Sequence, residues 1–215
     1  MKKELKIILA LGAIVLTGLI VAAYAYRSQL DKTTSETQSN GQRLVREDSA
    51  TLGPKEAPVT VVEFLDPECE SCKAFYPIMK DVLKKYEGKV HFVVRYMAFH
   101  RSSMVAVAAT EAAGLQGKYW EMQEHLFATA EEWGHQPAPI RSFFVSYARV
   151  LGLDLERFQT ALDDPKWAVK VQRDMADGAV LGAKSTPTIF VNGMVLPELS
   201  QEGLERLIES ALKTN

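Results

Sequence analysis

Apolar residues are arranged along this chain in three ways. From Ile7 to Tyr26 they run for twenty residues without a charge, matching the roughly 20 residues that cross a bilayer as a helix. No polar stripe interrupts the run, so it does not read as an amphipathic core helix. From Ser28 to about Glu47 large apolar residues almost vanish and Ser, Thr and Gln take over. Such a stretch buries too little surface to offset its ordering entropy, which predicts a flexible linker over 27–52. From Gly53 onward the spacing becomes that of a folded domain, over 53–215.

Within that domain, Val59-Thr60-Val61-Val62-Glu63-Phe64-Leu65 is β-branched and apolar, as expected of a strand buried on both faces. Residues 89–96 read as a second central strand. Lys73 to Tyr86 carries Phe75, Ile78, Met79, Val82, Leu83 and Tyr86 at helical spacing. The period continues past Pro77, which removes one hydrogen bond and kinks the helix rather than ending it. Helical periods follow over 103–115, 119–129, 140–151, 155–162 and 167–181, and again over 201–212. Proline cannot donate to a sheet ladder, so Pro187 should open a strand over 188–191, and Asn192-Gly193 predicts a hairpin turn after it. Trp120, Trp133, Trp167, Phe143, Phe144 and Tyr147 fall in helical segments and read mostly as core, with lining of a peptide groove the alternative for those near the cysteines. His100 lies between a strand and a helix, where a loop or capping role is expected.

Composition and charge narrow the function. Hydrophobic residues make up 47% and charged residues 24% of the chain, with a net charge of −2, which fits an ordinary globular domain and argues against nucleic acid as a partner. Lys2, Lys3 and Lys6 place the N-terminus (1–6) in the cytoplasm by the positive-inside rule. The segment 7–26 is then either a single-pass anchor in a bacterial inner membrane or a signal peptide cleaved near Ala23-Tyr24-Ala25. Under both readings the domain lies outside the cytoplasm, in the periplasm or its equivalent.

The chain has two cysteines, as Cys69-Glu70-Ser71-Cys72. They sit where the first strand gives way to the first domain helix. There the unpaired backbone N–H groups and the positive end of the helix dipole stabilise a thiolate, the nucleophile of disulfide exchange. Cys69 is expected to be the exposed attacking sulfur and Cys72, further along the helix, the buried one that resolves the mixed disulfide. A zinc site needs four ligands, and His91, His100, His125 and His135 lack the spacing to complete one. A purely structural disulfide across so short a loop constrains little of the unfolded chain. No metal or cofactor is expected beyond a redox-active Cys69–Cys72 disulfide.

These features together resemble the DsbA-like branch of the thioredoxin superfamily, over roughly Gly53 to Leu212. The matching elements are Glu63-Phe64 ahead of the Cys69–Cys72 motif, the helix with Pro77, and Ser185-Thr186-Pro187-Thr188 leading into Phe190-Val191-Asn192-Gly193. The resemblance implies an α/β thioredoxin-like fold with a helical subdomain inserted at about 100–183. It implies a cis Thr186-Pro187 bond whose loop, with Ser185, faces the cysteines and binds substrate peptide. Glu63 corresponds to the buried acid beneath the motif, with a raised pKa and a role in moving the Cys72 proton; a carboxylate on an edge strand, reaching solvent, is its alternative.

The chain departs from the family between the cysteines, where the best-known oxidants have Pro-His. Here Glu70 and Ser71, with Glu68 adjacent, are expected to tune the site, the carboxylates raising the thiol pKa and weakening the oxidant. The implied activity is disulfide exchange with exported proteins, as a dithiol oxidase served by a membrane quinone reductase of the DsbB type. A reductase or isomerase fed by a membrane electron donor, or a non-catalytic peptide-binding assembly factor, are the alternatives. A monomer is expected, because the linker is too short and polar to form a dimerisation domain.

Overall fold

A computed structural model describes residues 21–29, 40–136 and 140–214. The expected membrane span lies largely outside them. Residues 21–29 are helical and exposed, and among the described residues no helix is long and apolar enough to cross a membrane. The chain divides into two units between Gln42 and Arg43, and the second carries the site.

That unit is built on five strands, β1 (Ala50–Leu52), β2 (Val59–Leu65), β3 (Val90–Tyr96), β4 (Thr188–Val191) and β5 (Met194–Val195), in the order β1-β3-β2-β4-β5. Only β2 and β3 pair in parallel. Helix α1 (Glu70–Lys85) connects them, and α8 (Gln201–Thr214) closes the fold. Between β3 and β4 lie α2 (Ser103–Gly114), α3 (Tyr119–Ala128), α4 (Ala130–Trp133), α5 (Arg141–Val150), α6 (Leu155–Leu162) and α7 (Lys166–Leu181). This is the thioredoxin-like α/β fold with its helical insertion.

Alternation along β2 decides which residues meet which helices. Val59, Val61 and Leu65 join a core with Phe75, Met79 and Val82 of α1 and Leu204 and Ile208 of α8. Val62 and Phe64 pack on the other face with Leu44, Val93, Met97 and Phe190. Glu63 shares the parity of Val61 and Leu65, so its carboxylate enters the apolar layer beneath α1. The insertion has its own core, including Met122, Leu126, Trp133, Phe144, Phe158 and Trp167. Trp133 is fully buried and donates its indole N–H to the Leu126 carbonyl at 2.9 Å.

Pro77 sits inside α1, which continues to Lys85. The Asn192-Gly193 turn has φ of 45° and 84°, left-handed at both central positions as a two-residue hairpin requires. The Asn192 carboxamide also accepts from Thr60 N at 2.7 Å and donates to the Pro58 carbonyl at 3.3 Å.

The folded unit starts earlier than its polar sequence predicts. Residues 43–52, expected in the linker, are packed: Leu44 is buried in the core and β1 pairs with β3. Their polar character has another cause. Arg95 is fully buried, with Nη2 at 2.7 Å from both Asp174 and Asp177 of α7, and its guanidinium lies over the Phe64 ring. Arg46 adds two bonds to Asp177 at 2.8 and 2.9 Å, and Asp48 pairs with Arg173 at 2.7 Å. The arginines and Asp48 are polar in order to complete a partly buried ion network, not to remain solvated.

Candidate active site

Cys69 is the N-cap of α1, with extended φ and ψ of −77° and 123°. The Asp66 carbonyl holds its N–H at 3.1 Å, and its own carbonyl accepts the first helical bond from Lys73 N at 3.0 Å. Its sulfur therefore occupies the position of a capping side chain, facing the unpaired N–H groups of the first turn. Cys69 and Cys72 are free thiols and both are buried, Cys69 at 9% and Cys72 at 1% exposure, so the attacking sulfur is not the exposed one expected, because the Thr186-Pro187 loop lies against it.

The Cys69 thiol is lowered to about 5. The largest cause is a hydrogen bond from Cys72; burial opposes it, and the Thr186 contact and the backbone N–H groups of Cys72 and Ser71 reinforce it. Cys72 moves the opposite way, pushed well up by burial, by its bond to Cys69 and by the charge of Glu63. One sulfur is thus ionised near neutrality and the other keeps its proton.

Cys69 Sγ lies 3.3 Å from the Thr186 carbonyl oxygen. The Thr186-Pro187 bond is cis. Pro187 is buried and Thr186 half-buried, while Ser185 is exposed, its carbonyl accepting from Thr188 Oγ1 at 2.6 Å within its own loop. Glu63 lies on the central strand, opposite Val94 of β3 and Ile189 of β4, and is 4% exposed. This is not an edge position. Burial, with the charge of Cys69, raises its carboxyl to about 8.

The three residues expected to tune the site sit differently. Glu70 and Ser71 are exposed on the first turn of α1, so solvent screens the Glu70 charge and Ser71 contributes its backbone N–H. Glu68 is turned inward. Its carboxylate accepts from Ser102 N at 2.6 Å and His135 N at 2.8 Å, fastening the loops at both ends of the α2–α4 segment to the cysteine loop. The net direction at Cys69 is therefore downward, opposite to the rise expected from Glu68 and Glu70, because the bond from Cys72 and the helix N–H groups outweigh those carboxylates.

Asp66 was not anticipated. It is fully buried, and its two oxygens accept from the N–H groups of Glu68 (2.9 Å), Phe99 (2.8 Å) and His100 (3.2 Å), from Ser103 Oγ (2.5 Å) and at His100 Nδ1 (2.7 Å). Asp66-Pro67-Glu68 directly ahead of Cys69 was the visible signal. Apart from Glu68, its donors lie more than thirty residues away in sequence, where no local pattern points to them.

Residues 46–210 match the family model described as thioredoxin. The chain is similar to the oxidised BdbD structure from Bacillus subtilis, at 29% identity and a TM-score of 0.66, covering 77% of this chain and 93% of that one. It shares its fold with α-DsbA1 of Wolbachia pipientis, at 18% identity and a TM-score of 0.72, covering 82% and 98%. Among curated proteins it is 36% identical over 141 residues to the Na(+)/H(+) antiporter NhaA of Herminiimonas arsenicoxydans and 42% identical over 145 residues to NhaA 1 of Salinispora arenicola. Each match takes in 66% of this chain but only 22% and 21% of the relative, so the chain spans about a fifth of the length of these antiporters. With two cysteines at the head of α1, a cis-proline loop against the first of them and helices inserted between β3 and β4, the chain belongs to the thioredoxin family.

Proposed function

We propose that this chain exchanges disulfides with exported proteins through Cys69 and Cys72, acting as a dithiol oxidase outside the cytoplasm of a bacterium. The observation that carries the reading is the split between the two sulfurs. A Cys69 thiol lowered to about 5 stabilises the reduced form of the pair, and a stabilised reduced form makes the disulfide a stronger oxidant.

A substrate thiolate attacks Cys69 of the disulfide, the Cys69–Cys72 bond breaks, and the electron pair leaves on Cys72, which takes up a proton. A second substrate thiolate then attacks the substrate sulfur of the mixed disulfide and expels Cys69 as a thiolate. The substrate loses two electrons and the enzyme gains them. Glu63, with its carboxyl near 8, sits on the strand beneath α1 as the group that exchanges the Cys72 proton. Ser185, Thr186 and Pro187 form the surface against which an extended substrate strand pairs, and Glu68, Glu70 and Ser71 shape the loop around the thiolate. Turnover requires a partner that removes the electrons, which we assign to a membrane quinone reductase of the DsbB type. The uncharged segment 7–26 supports an anchored or exported location, with the folded unit working as a monomer.

The test is the reduction potential of the chain, equilibrated against glutathione buffers and read by thiol alkylation. A value close to that of strong oxidants, about −120 mV, supports the oxidase direction. A value near about −270 mV assigns the pair to reduction and calls for an electron donor instead. A Cys69→Ser variant that retains full function in cells would point to a non-catalytic peptide-binding role.

A further inference from the structure

A positive charge nearby would add to the hydrogen bonds that hold the Cys69 thiolate, and the motif itself supplies none: Glu70 and Ser71 separate the cysteines, and Lys73 is paired with Glu131 at 2.6 Å. The loop after β3 fills this gap. His100 Nδ1 lies 2.7 Å from Asp66 Oδ2, and the His100 backbone N–H reaches the same oxygen at 3.2 Å and Ser103 Oγ at 3.2 Å. Asp66 is fully buried, and its carbonyl holds the N–H of Cys69 at 3.1 Å. One residue therefore fixes both the thiol-bearing loop and the imidazole.

Asp66 must accept at Nδ1, so that nitrogen carries a proton and the remaining protonation step falls on Nε2. The ionisable groups whose charges act on the ring are Asp66, in direct contact, and Cys69 and Glu68, with His135 edge-on at 5.6 Å between ring centroids. Three of the four are acids, which favours the imidazolium. Burial lowers the His100 pKa, but the bond to Asp66 and the charges of Asp66, Cys69 and Glu68 outweigh it, and His100 holds its proton more tightly than an ordinary histidine.

We propose that His100, anchored by Asp66, is the positioning residue whose positive charge holds the reduced Cys69 sulfur as a thiolate and so sets how strongly the disulfide oxidises. The inference rests on the exchange reading above and names the charge that tunes it. Attraction between two titrating groups is mutual: forming the disulfide removes the negative charge at Cys69, and His100 then releases its proton more easily.

The experiment is a titration of the reduced chain by thiolate absorbance, in wild type, His100→Gln and His135→Asn. Glutamine keeps a donor for Asp66 but cannot carry the charge. We expect the Cys69 acid dissociation constant in His100→Gln to fall about tenfold, the equilibrium with glutathione to shift about as far toward the oxidised protein, and His135→Asn to stay within about twofold of wild type. A His100→Gln titration superimposable on wild type overturns the assignment, as does an equal shift in His135→Asn.

If His100→Gln fails to fold, the native protein decides by NMR. His100 is expected to titrate at lower pH in the oxidised than in the reduced state, and identical midpoints overturn the proposal. A wild-type pair that forms no disulfide in any glutathione buffer would count against the exchange reading itself. The absorbance titration, read on reduced protein, would still decide the role of His100.

Discussion

Glu63 gives the sharpest quantitative prediction, because one buried carboxyl acts on both stability and chemistry. Its pKa rises from an ordinary 4.5 to about 8 in the folded chain. A raised folded-state value means that the folded protein holds this proton more tightly than the unfolded one. The benefit is complete below pH 4.5 and is lost as pH climbs toward 8. At 1.36 kcal/mol per pH unit, ionisation costs the reduced protein about 3 kcal/mol at pH 7 and about 5 kcal/mol above pH 8. Glu63→Gln keeps the shape and cannot ionise. The reduced variant should match wild type near pH 4.5 in denaturant unfolding and exceed it by about 3 kcal/mol at pH 7. The same change should slow release of the mixed disulfide by Cys72, because no neighbouring base takes its proton; about 100-fold is the low end for a lost general base. Equal pH dependence of stability in the two proteins would refute the argument, whatever the rate did.

Three further outcomes follow from the geometry. Alkylation of Cys69 in the reduced chain should reach half its maximal rate near pH 5, while Cys72 stays unreactive; a rate still climbing through pH 8 would contradict the acidified thiol. Cys72→Ser should accumulate mixed disulfides through Cys69, seen as dithiothreitol-sensitive adducts on non-reducing gels, and their absence would reverse the roles of the two sulfurs. Arg95→Met leaves Asp174 and Asp177 short of their buried partner and should cost about 3–5 kcal/mol in unfolding experiments. Much of that loss should return when Asp174→Asn is added, and a loss below about 1 kcal/mol would mean that the network contributes little.

Much of this fold could be read from periodicity, because the helices and central strands are amphipathic or continuously apolar in the ordinary way. The sequence-derived strand over 188–191 coincides with β4, and the strand over 89–96 and the helix over 167–181 differ from the observed elements by one residue at the start. The reading failed where polarity had a tertiary cause. Arg43, Arg46 and Asp48 look like linker until their partners on α7 are known, and the three-residue β1 is too short to leave a pattern. At the site, the cysteine pair and the Thr186-Pro187 loop were legible from local order. Glu68 was visible but misread, since a carboxylate beside a thiol suggests repulsion unless the donors that turn it inward can be seen. Asp66 and His100 belong to the same class: their meaning lies in a contact across 34 residues of sequence.

The way the chain enters the domain bears on how it can be cut. A fragment beginning at residue 53 follows the compositional boundary, yet it strips the outer strand from β3 and exposes that edge to pairing with other chains. It also removes the Leu44 side chain from the core beside Phe64 and deprives Asp177 of Arg46. Proteolysis between Arg43 and Gly53 should be slow, because that stretch is held down by charge at one end and by strand pairing at the other.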